Sequence, residues 1–191
     1  MAKLVEDNRV FTAAAGNVSS ADLNSLQDQL KGIVKELDCD VAGLFDVDTS
    51  AANPWAQVYS GAADNREWAW YTTAPAAGQI MTAVLPIRAG CKITDVDVIY
   101  KDASQGGGAI ELRRQQHMAV GSAAAMNAST QVSSLPGGNP WNQGGANWIR
   151  DRTAVNHVVV AGYQYFIKVT ASAGANPNYF KTVVVYYQMG N

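Results

Sequence analysis

The chain has little of the residue types from which metal centres and disulfide frameworks are built. Among its 191 residues are two cysteines and two histidines. Cys39 and Cys91 lie in apolar contexts, so buried free thiols are expected, with a single disulfide as the alternative. Neither His117 nor His157 lies near Cys, Asp or Glu at metal-ligand spacing. No zinc site, and no other metal or cofactor, is therefore predicted.

Sequence motifs of catalysis are also missing. No G-x-S-x-G nucleophile elbow occurs, and the triple glycine at 106–108 is not followed by the Gly-Lys-Ser/Thr of a phosphate-binding loop. Asp46, Asp48 and Ser50 alternate as calcium ligands would, but the segment lacks the Gly and the terminal Glu of an EF-hand loop. A solvated loop is the favoured interpretation of this segment. The chain is accordingly predicted not to be an enzyme.

Charge is scarce as well. Charged residues make up 16% of the chain and the formal net charge is -2, with Arg113-Arg114 as the sole adjacent basic pair. Phosphate neutralisation needs a basic surface, so nucleic acid is not expected as a partner. No apolar run is long enough to span a membrane, and the charged N-terminus lacks the apolar segment of a secretory signal. We expect synthesis and folding in a reducing cytoplasm.

What the chain does have begins with a leucine pattern near its N-terminus. Residues 1–18 indicate an extended arm, and residues 19–37 indicate a short amphipathic helix. Five apolar residues are spaced 3-4-3-4, as at the a and d positions of a coiled coil: Leu23, Leu26, Leu30, Ile33 and Leu37. This pattern predicts the seam of an oligomer. The alternative is an amphipathic helix that packs on its own domain.

Residues 38–191 show the pattern of a β domain. Runs such as Ile93–Tyr100, Tyr163–Thr170 and Tyr179–Tyr187 are rich in β-branched and aromatic residues and are separated by Gly- and Asn-containing turns. In the first of these runs, Val96 and Val98 alternate with Asp95, Asp97 and Ile99. Several short strands without intervening helices predict a mainly β, jelly-roll-like antiparallel β-sandwich, preceded by the arm and the short helix.

A loop rich in Gly, Asn and Pro covers residues 135–148 and carries Trp141 and Trp148. Exposed tryptophans on polar loops stack on sugars or anchor protein interfaces. The alternative is that each tryptophan folds back over one end of the sandwich and is buried there. Trp141 and Trp148 are therefore candidate ligand or receptor contacts, with the structural role left open.

The passage Val84-Leu-Pro-Ile-Arg-Ala-Gly-Cys-Lys-Ile-Thr-Asp-Val-Asp-Val-Ile-Tyr, together with the closing Val183-Val-Val-Tyr-Tyr, resembles β-sandwich domains of tailed-bacteriophage virion surface proteins. These include capsid decoration proteins, head fibres and tail-fibre tips. The similarity spans roughly residues 80–187, and in that family a helical stem usually precedes the β domain. The family has no catalytic residues to carry over.

The resemblance implies a non-enzymatic structural virion protein, a homotrimeric decoration or fibre-knob component. Its partners would be further copies of itself and other virion proteins such as a major capsid protein. Its location would be the virion, after synthesis in the host cytoplasm. The alternative function is a carbohydrate- or receptor-binding, lectin-like module at a tail-fibre tip, which would bind a host surface glycan.

Overall fold

The structure is a computed structural model that describes residues 34–39, 45–49, 54–60, 67–72, 79–101, 108–121, 127–135, 148–172 and 178–189. These residues form β-strands and their connections. No helix in this part of the chain is long and apolar enough to cross a membrane. The described strands, in chain order, are β1 (Val34–Cys39), β2 (Phe45–Val47), β3 (Ala56–Ser60), β4 (Glu67–Thr72), β5 (Ile80–Leu85), β6 (Lys92–Lys101), β7 (Ala109–Gln116), β8 (Thr130–Ser134), β9 (Trp148–Val158), β10 (Tyr163–Thr170) and β11 (Asn178–Gln188).

The strands form two antiparallel sheets. The first sheet has the order β3-β4-β11-β6-β9, and β1 pairs with β11 beside β4. The second sheet has the order β2-β5-β10-β7-β8. Neighbours in both sheets are mostly distant in sequence, as expected for a jelly-roll-like sandwich. The predicted fold class is confirmed in its β part.

The core lies between the sheets and follows from the alternation of side chains along each strand. Val96, Val98 and Tyr100 of β6 are fully buried, and so are Ile167 and Val169 of β10. Each such side chain contributes roughly 1.5–3 kcal/mol by leaving water. The intervening residues of β6 therefore point to the outer face of the first sheet, as the sequence predicted for Asp95, Asp97 and Ile99.

The helix predicted for residues 19–37 is wrong at its C-terminal end, because Val34–Cys39 is strand β1. The backbone of this segment pairs with β11 from Val34↔Gln188 to Cys39↔Val183. Strand β11 is rich in valine and tyrosine, and pairing with it outweighs a weak local preference for helix. Leu37, assigned to the oligomer seam, is a strand residue opposite Val185. The other four seam residues, Leu23, Leu26, Leu30 and Ile33, and the arm at 1–18 lie outside the described residues.

Two loop predictions also change. Asp46 lies within β2 rather than in a loop, where it is opposite Thr82 of β5. Trp148 is the first residue of β9 rather than the last of a loop. Both changes come from sheet pairing with residues far away in sequence, which local composition does not report.

Candidate functional site

The outer face of the first sheet brings together residues from three strands at one end of the sandwich. Lys101, the last residue of β6, is opposite Trp148 of β9 and Tyr179 of β11. Ile149 and Val155 of β9 pack against the core. Since side chains alternate along a strand, Trp148 and Arg150 point to the outer face.

Two aromatic rings and two ammonium groups form what we call the Trp148 platform: Trp148, Tyr179, Lys101 and Lys181. The Trp148 and Tyr179 rings lie edge to face, with centroids 6.5 Å apart and an interplanar angle of 71°. The Lys101 ammonium lies 5.5 Å from the Tyr179 centroid, and the Lys181 ammonium 5.6 Å from the Trp148 centroid. All four residues are half-buried. The platform therefore combines aromatic ring surface with ammonium donors that lie over it.

A charged cluster continues the same face toward the middle of the sheet. Asp97 is 1% exposed and accepts hydrogen bonds from two arginines of the neighbouring strand β9. The Arg150 Nε–Oδ2 distance is 2.8 Å and the Arg152 Nη2–Oδ2 distance is 3.0 Å. Arg152 also lies 4.3 Å above the Tyr186 ring. One carboxylate thus holds two guanidinium groups against the sheet.

The protonation of this cluster follows from its hydrogen bonds. The hydrogen bond from Arg152 lowers the pKa of Asp97 below its ordinary value of 3.8, against the opposing effect of burial, and Arg150 adds to the lowering. The hydrogen bond to Asp97 in turn raises the pKa of both arginines. Asp97 is consequently an anion at neutral pH, and its role is to neutralise and orient the guanidiniums. The arginine side chains stay 57% and 53% exposed, so they retain donors for a ligand.

Of the predicted contact residues, Trp148 belongs to this face, and Trp141 lies outside the described residues. Trp148 is half-buried, between the fully buried and the outward-facing alternatives. Tyr179, Lys101 and Lys181 were not predicted as site residues. Lys101 lies an odd number of residues from the apolar Val98 and Tyr100, so the two-residue period of a strand predicts that its side chain points to the outer face. The strand pairing that brings it beside Trp148 and Tyr179 cannot be read from the sequence.

The described residues do not assemble into a metal site. Among the described residues there is no group of three or more His, Cys, Asp or Glu side chains that could hold a metal ion. Asp46 and Asp48 lie in and just after β2, and Ser50 lies outside the described residues. Cys91 is a buried free thiol, as expected.

His157 has a structural environment at the opposite end of β9. Its Nε2 lies 2.9 Å from the Tyr165 hydroxyl, which also accepts a hydrogen bond of 3.1 Å from the backbone N–H of Val160. Burial, with a smaller effect of Arg114, lowers the pKa of His157. The Tyr165 hydroxyl is thereby satisfied inside the sandwich, and the imidazole is preferred in its neutral form.

Comparison with known proteins gives likeness in structure without likeness in sequence. No protein-family model matches the chain, and no curated protein matches it. The modules CBM22-1-GH10 of Clostridium thermocellum endo-1,4-beta-D-xylanase 10B, solved in complex with xylohexaose, align over 81% of this chain and 28% of that chain, with 7% identity and a TM-score of 0.50.

Two further structures align over most of their own length. A xylan-binding module, CBM15, covers 82% of this chain and 99% of its own, with 10% identity and a TM-score of 0.49. The C-terminal family 22 carbohydrate-binding module of Clostridium thermocellum Xyn10B covers 78% and 88%, with 9% identity and a TM-score of 0.47. At such identities the likeness concerns the fold alone, a sandwich of two antiparallel β-sheets.

Proposed function

We propose that the chain is a non-catalytic carbohydrate-binding module whose ligand lies on the Trp148 platform. The observation that carries the proposal is the pair of half-buried aromatic rings, Trp148 and Tyr179, on an outer sheet face and flanked by two ammonium groups. Aromatic rings supply apolar contact area to the C–H face of a sugar at low entropic cost, and adjacent donors orient its hydroxyls.

The rest of the face supports the same function. Arg150 follows Trp148 by two residues on the outer face, and its exposed guanidinium is held in place by Asp97. A donor fixed before binding loses less conformational entropy when it meets a ligand hydroxyl. Each such hydrogen bond contributes on the order of 1 kcal/mol. The fold-level likeness to the xylanase 10B modules is compatible with this proposal and identifies no residue of it.

The proposal assigns no catalytic step to the module. General acid catalysis on a glycoside needs a carboxyl group that holds a proton near neutral pH. Asp97 has the opposite environment, since two guanidiniums favour its ionised form. Asp97 is therefore unsuited to act as an acid on a sugar at the platform.

The test is a glycan array followed by titration of any bound oligosaccharide. Trp148→Ala and Tyr179→Ala should each weaken binding at least tenfold, because aromatic anchors dominate such contacts. Tyr163→Ala is the matched control, since Tyr163 also has a cation over its ring, Arg114 at 4.7 Å, but belongs to the second sheet. Binding that survives both platform substitutions, or a wild-type protein that binds no glycan, would rule the proposal out.

A second feature favours self-association, as the sequence predicted. The exposed large hydrophobic residues of the described chain, with exposed fractions from 38% to 106%, all lie at one end of the sandwich, which we call the apolar end: Val84, Met118, Val120, Val158, Val160 and Met189. Strands β5, β7, β9 and β11 finish at this end, and β6 and β10 begin there. Exposed apolar residues gathered at one end of a domain are typical of protein–protein contacts.

Strand β1 begins at the same end, because Val34 is opposite Gln188. Four residues of the predicted seam, Leu23, Leu26, Leu30 and Ile33, come before β1 in sequence, whereas Leu37 lies within it. An oligomer held by that seam would bring apolar ends of neighbouring copies together. We therefore propose that the occupant of the apolar end is a second copy of the chain, with a homotrimer as the form implied by the sequence resemblance.

Sedimentation velocity tests this proposal directly. Val120→Asp combined with Val160→Asp should shift the protein toward monomer, because each carboxylate would lose its water in the contact. Leu26→Asp with Ile33→Asp should do the same if the seam contributes. Thr49→Asp, at an exposed position just after β2, is the control that should leave the assembly unchanged, because Asp48 bonds to Ile80 where β5 begins, at the opposite end of the sandwich. A monomeric wild-type protein would contradict the proposal.

Placement in a virion, with a major capsid protein as partner, stays a prediction that depends on the sequence resemblance. A receptor-binding tip would combine it with the glycan-binding function proposed above. Co-purification of the chain with intact particles would test the placement. Absence of the chain from purified particles would remove it without affecting the glycan-binding proposal.

A further inference from the structure

The two ammonium groups of the Trp148 platform have no anionic partner in the described part of the chain. Lys101 and Lys181 contact the Tyr179 and Trp148 rings, and neither forms an ion pair with a described carboxylate. The contrast with the neighbouring cluster is direct, since Arg150 and Arg152 share Asp97. The platform is thus a local excess of positive charge in a chain whose formal net charge is -2.

Partial burial makes this excess charge consequential. Both lysines are half-buried, so each ammonium has given up part of its hydration and faces a ring rather than a carboxylate. A cation near an aromatic face at an exposed site gains less than a charge-assisted hydrogen bond to an anion supplies. An incoming anion can therefore improve the environment of both groups.

We infer that the platform selects glycans whose sugar rings carry an anionic group, a carboxylate or a sulfate ester. This inference rests on the proposed function and names its ligand class. A pyranose that stacks on Trp148 or Tyr179 takes the ring face over which an ammonium group now lies, so the displaced ammonium meets the exocyclic substituents at the edge of the sugar. Lysine suits this task because its ammonium is a compact, rotatable donor that follows the anion of a sugar in several orientations.

The sharpest probe is a ligand pair that differs in charge and keeps the same sugar rings. Oligogalacturonides carry one carboxylate per sugar, and their methyl esters are neutral with the same ring and linkage. A sulfated oligosaccharide and a neutral xylo-oligosaccharide complete the panel, so that carboxylate and sulfate are distinguished. We expect an acidic oligosaccharide to bind at least tenfold more tightly than its neutral counterpart at low salt, which corresponds to one charge-assisted hydrogen bond.

Salt provides an independent readout. The Debye length falls from about 10 Å at 0.1 M to about 3 Å at 1 M ionic strength, so the advantage of the acidic ligand should shrink as salt is added. Lys101→Gln and Lys181→Gln should each reduce the acidic-to-neutral ratio and flatten its salt dependence. Lys168→Gln, on β10 of the second sheet, is the matched control and should leave both unchanged.

The possible outcomes distinguish failure of the anionic preference from failure of the carbohydrate-binding function. Binding of neutral oligosaccharides with equal or higher affinity, lost on Trp148→Ala, would overturn the anionic preference and leave the carbohydrate-binding function standing. Loss of acidic binding in Lys168→Gln to the same degree would show general charge attraction and also overturn it. A protein that binds neither class would remove the proposed function itself.

Discussion

Replacement of Trp148 by alanine distinguishes a ligand anchor from a structural plug. Trp148 opens β9 and is half-buried on the outer face, in edge-to-face contact with Tyr179 at 6.5 Å and with the Lys181 ammonium 5.6 Å from its ring. Trp148 is therefore neither a fully buried plug nor a fully exposed side chain. On the proposed function, its buried part stabilises the sheet and its exposed part contacts the ligand.

The magnitude follows from the buried area. An aromatic side chain buries 150–250 Å² when fully enclosed, so a half-buried tryptophan covers roughly 100 Å². At about 25 cal/mol per Å² its removal should cost about 2.5 kcal/mol of the free energy of unfolding. For a chain of this size, that lowers the melting temperature by roughly 5–10 °C.

Trp55 provides the comparison for a fully buried tryptophan. It is 3% exposed, and its indole N–H donates to the carbonyl oxygen of Gln79 at 3.1 Å. Trp55→Ala should cost about 3–5 kcal/mol for packing alone. Below its melting temperature, Trp55→Ala should still bind glycan, whereas Trp148→Ala should be folded and unable to bind.

Thermal unfolding and glycan titration on both variants provide the answer. The argument would be refuted if Trp148→Ala were as destabilised as Trp55→Ala and kept its glycan affinity, because Trp148 would then be a plug. Trp148→Phe adds a check, since it keeps an aromatic face and should retain part of the affinity that alanine loses.

Three further predictions concern stability. Asp97→Asn should cost about 1–3 kcal/mol of the free energy of unfolding at neutral pH. Because the folded pKa of Asp97 is below its ordinary 3.8, the stabilisation it gives is lost as pH falls below about 4. Acid titration of the free energy of unfolding should therefore show a shallower slope in the variant. The pKa of His157 is lowered in the fold, so the free energy of unfolding should fall as pH drops below the ordinary histidine pKa of 6.5 and level off below the folded pKa. His157→Gln should remove that part of the pH dependence. An unchanged dependence in the variant would contradict the assignment. Gly162 has φ +81° and no heavy atom within 4 Å of the place that a Cβ would take. Gly162→Ala should therefore cost about 1 kcal/mol of the free energy of unfolding through backbone strain alone, which urea unfolding can measure. A neutral result would show that the turn relaxes.

The strands could be predicted from sequence where the alternation is strong. In β6, β10 and β11 the buried positions follow the two-residue period of valine, isoleucine and tyrosine, and local pattern and tertiary packing agree. The helix prediction failed at residues 34–37 because local pattern and sheet pairing disagree there. Leucine spacing there fits a helix locally, but the backbone pairs with β11, and such pairing depends on a strand at the other end of the chain.

The candidate site could be predicted only in part, because sheet register creates it. Residue type alone identifies Trp148, but its neighbours Lys101 and Tyr179 come from strands far away in sequence. Their adjacency depends on β6 lying between β9 and β11 with one particular register. Residue type is enough to suggest Trp148 as a contact residue. Its neighbours in the site can be identified only when the strand order is known.

The platform and the apolar end lie at opposite ends of β6, and this separation links the two proposed functions. Lys101 ends the strand at the platform, and Lys92 begins it beside Val158 at the apolar end. A strand of ten residues spans roughly 33 Å, so copies joined at their apolar ends would keep their platforms exposed. Linked sites on a glycan-coated surface raise avidity by about 10²–10⁴ without any new contact. The double variant Val120→Asp and Val160→Asp should therefore match the wild type for a soluble oligosaccharide and fall far below it on a dense glycan surface. Equal retention on that surface would show that the two ends act independently.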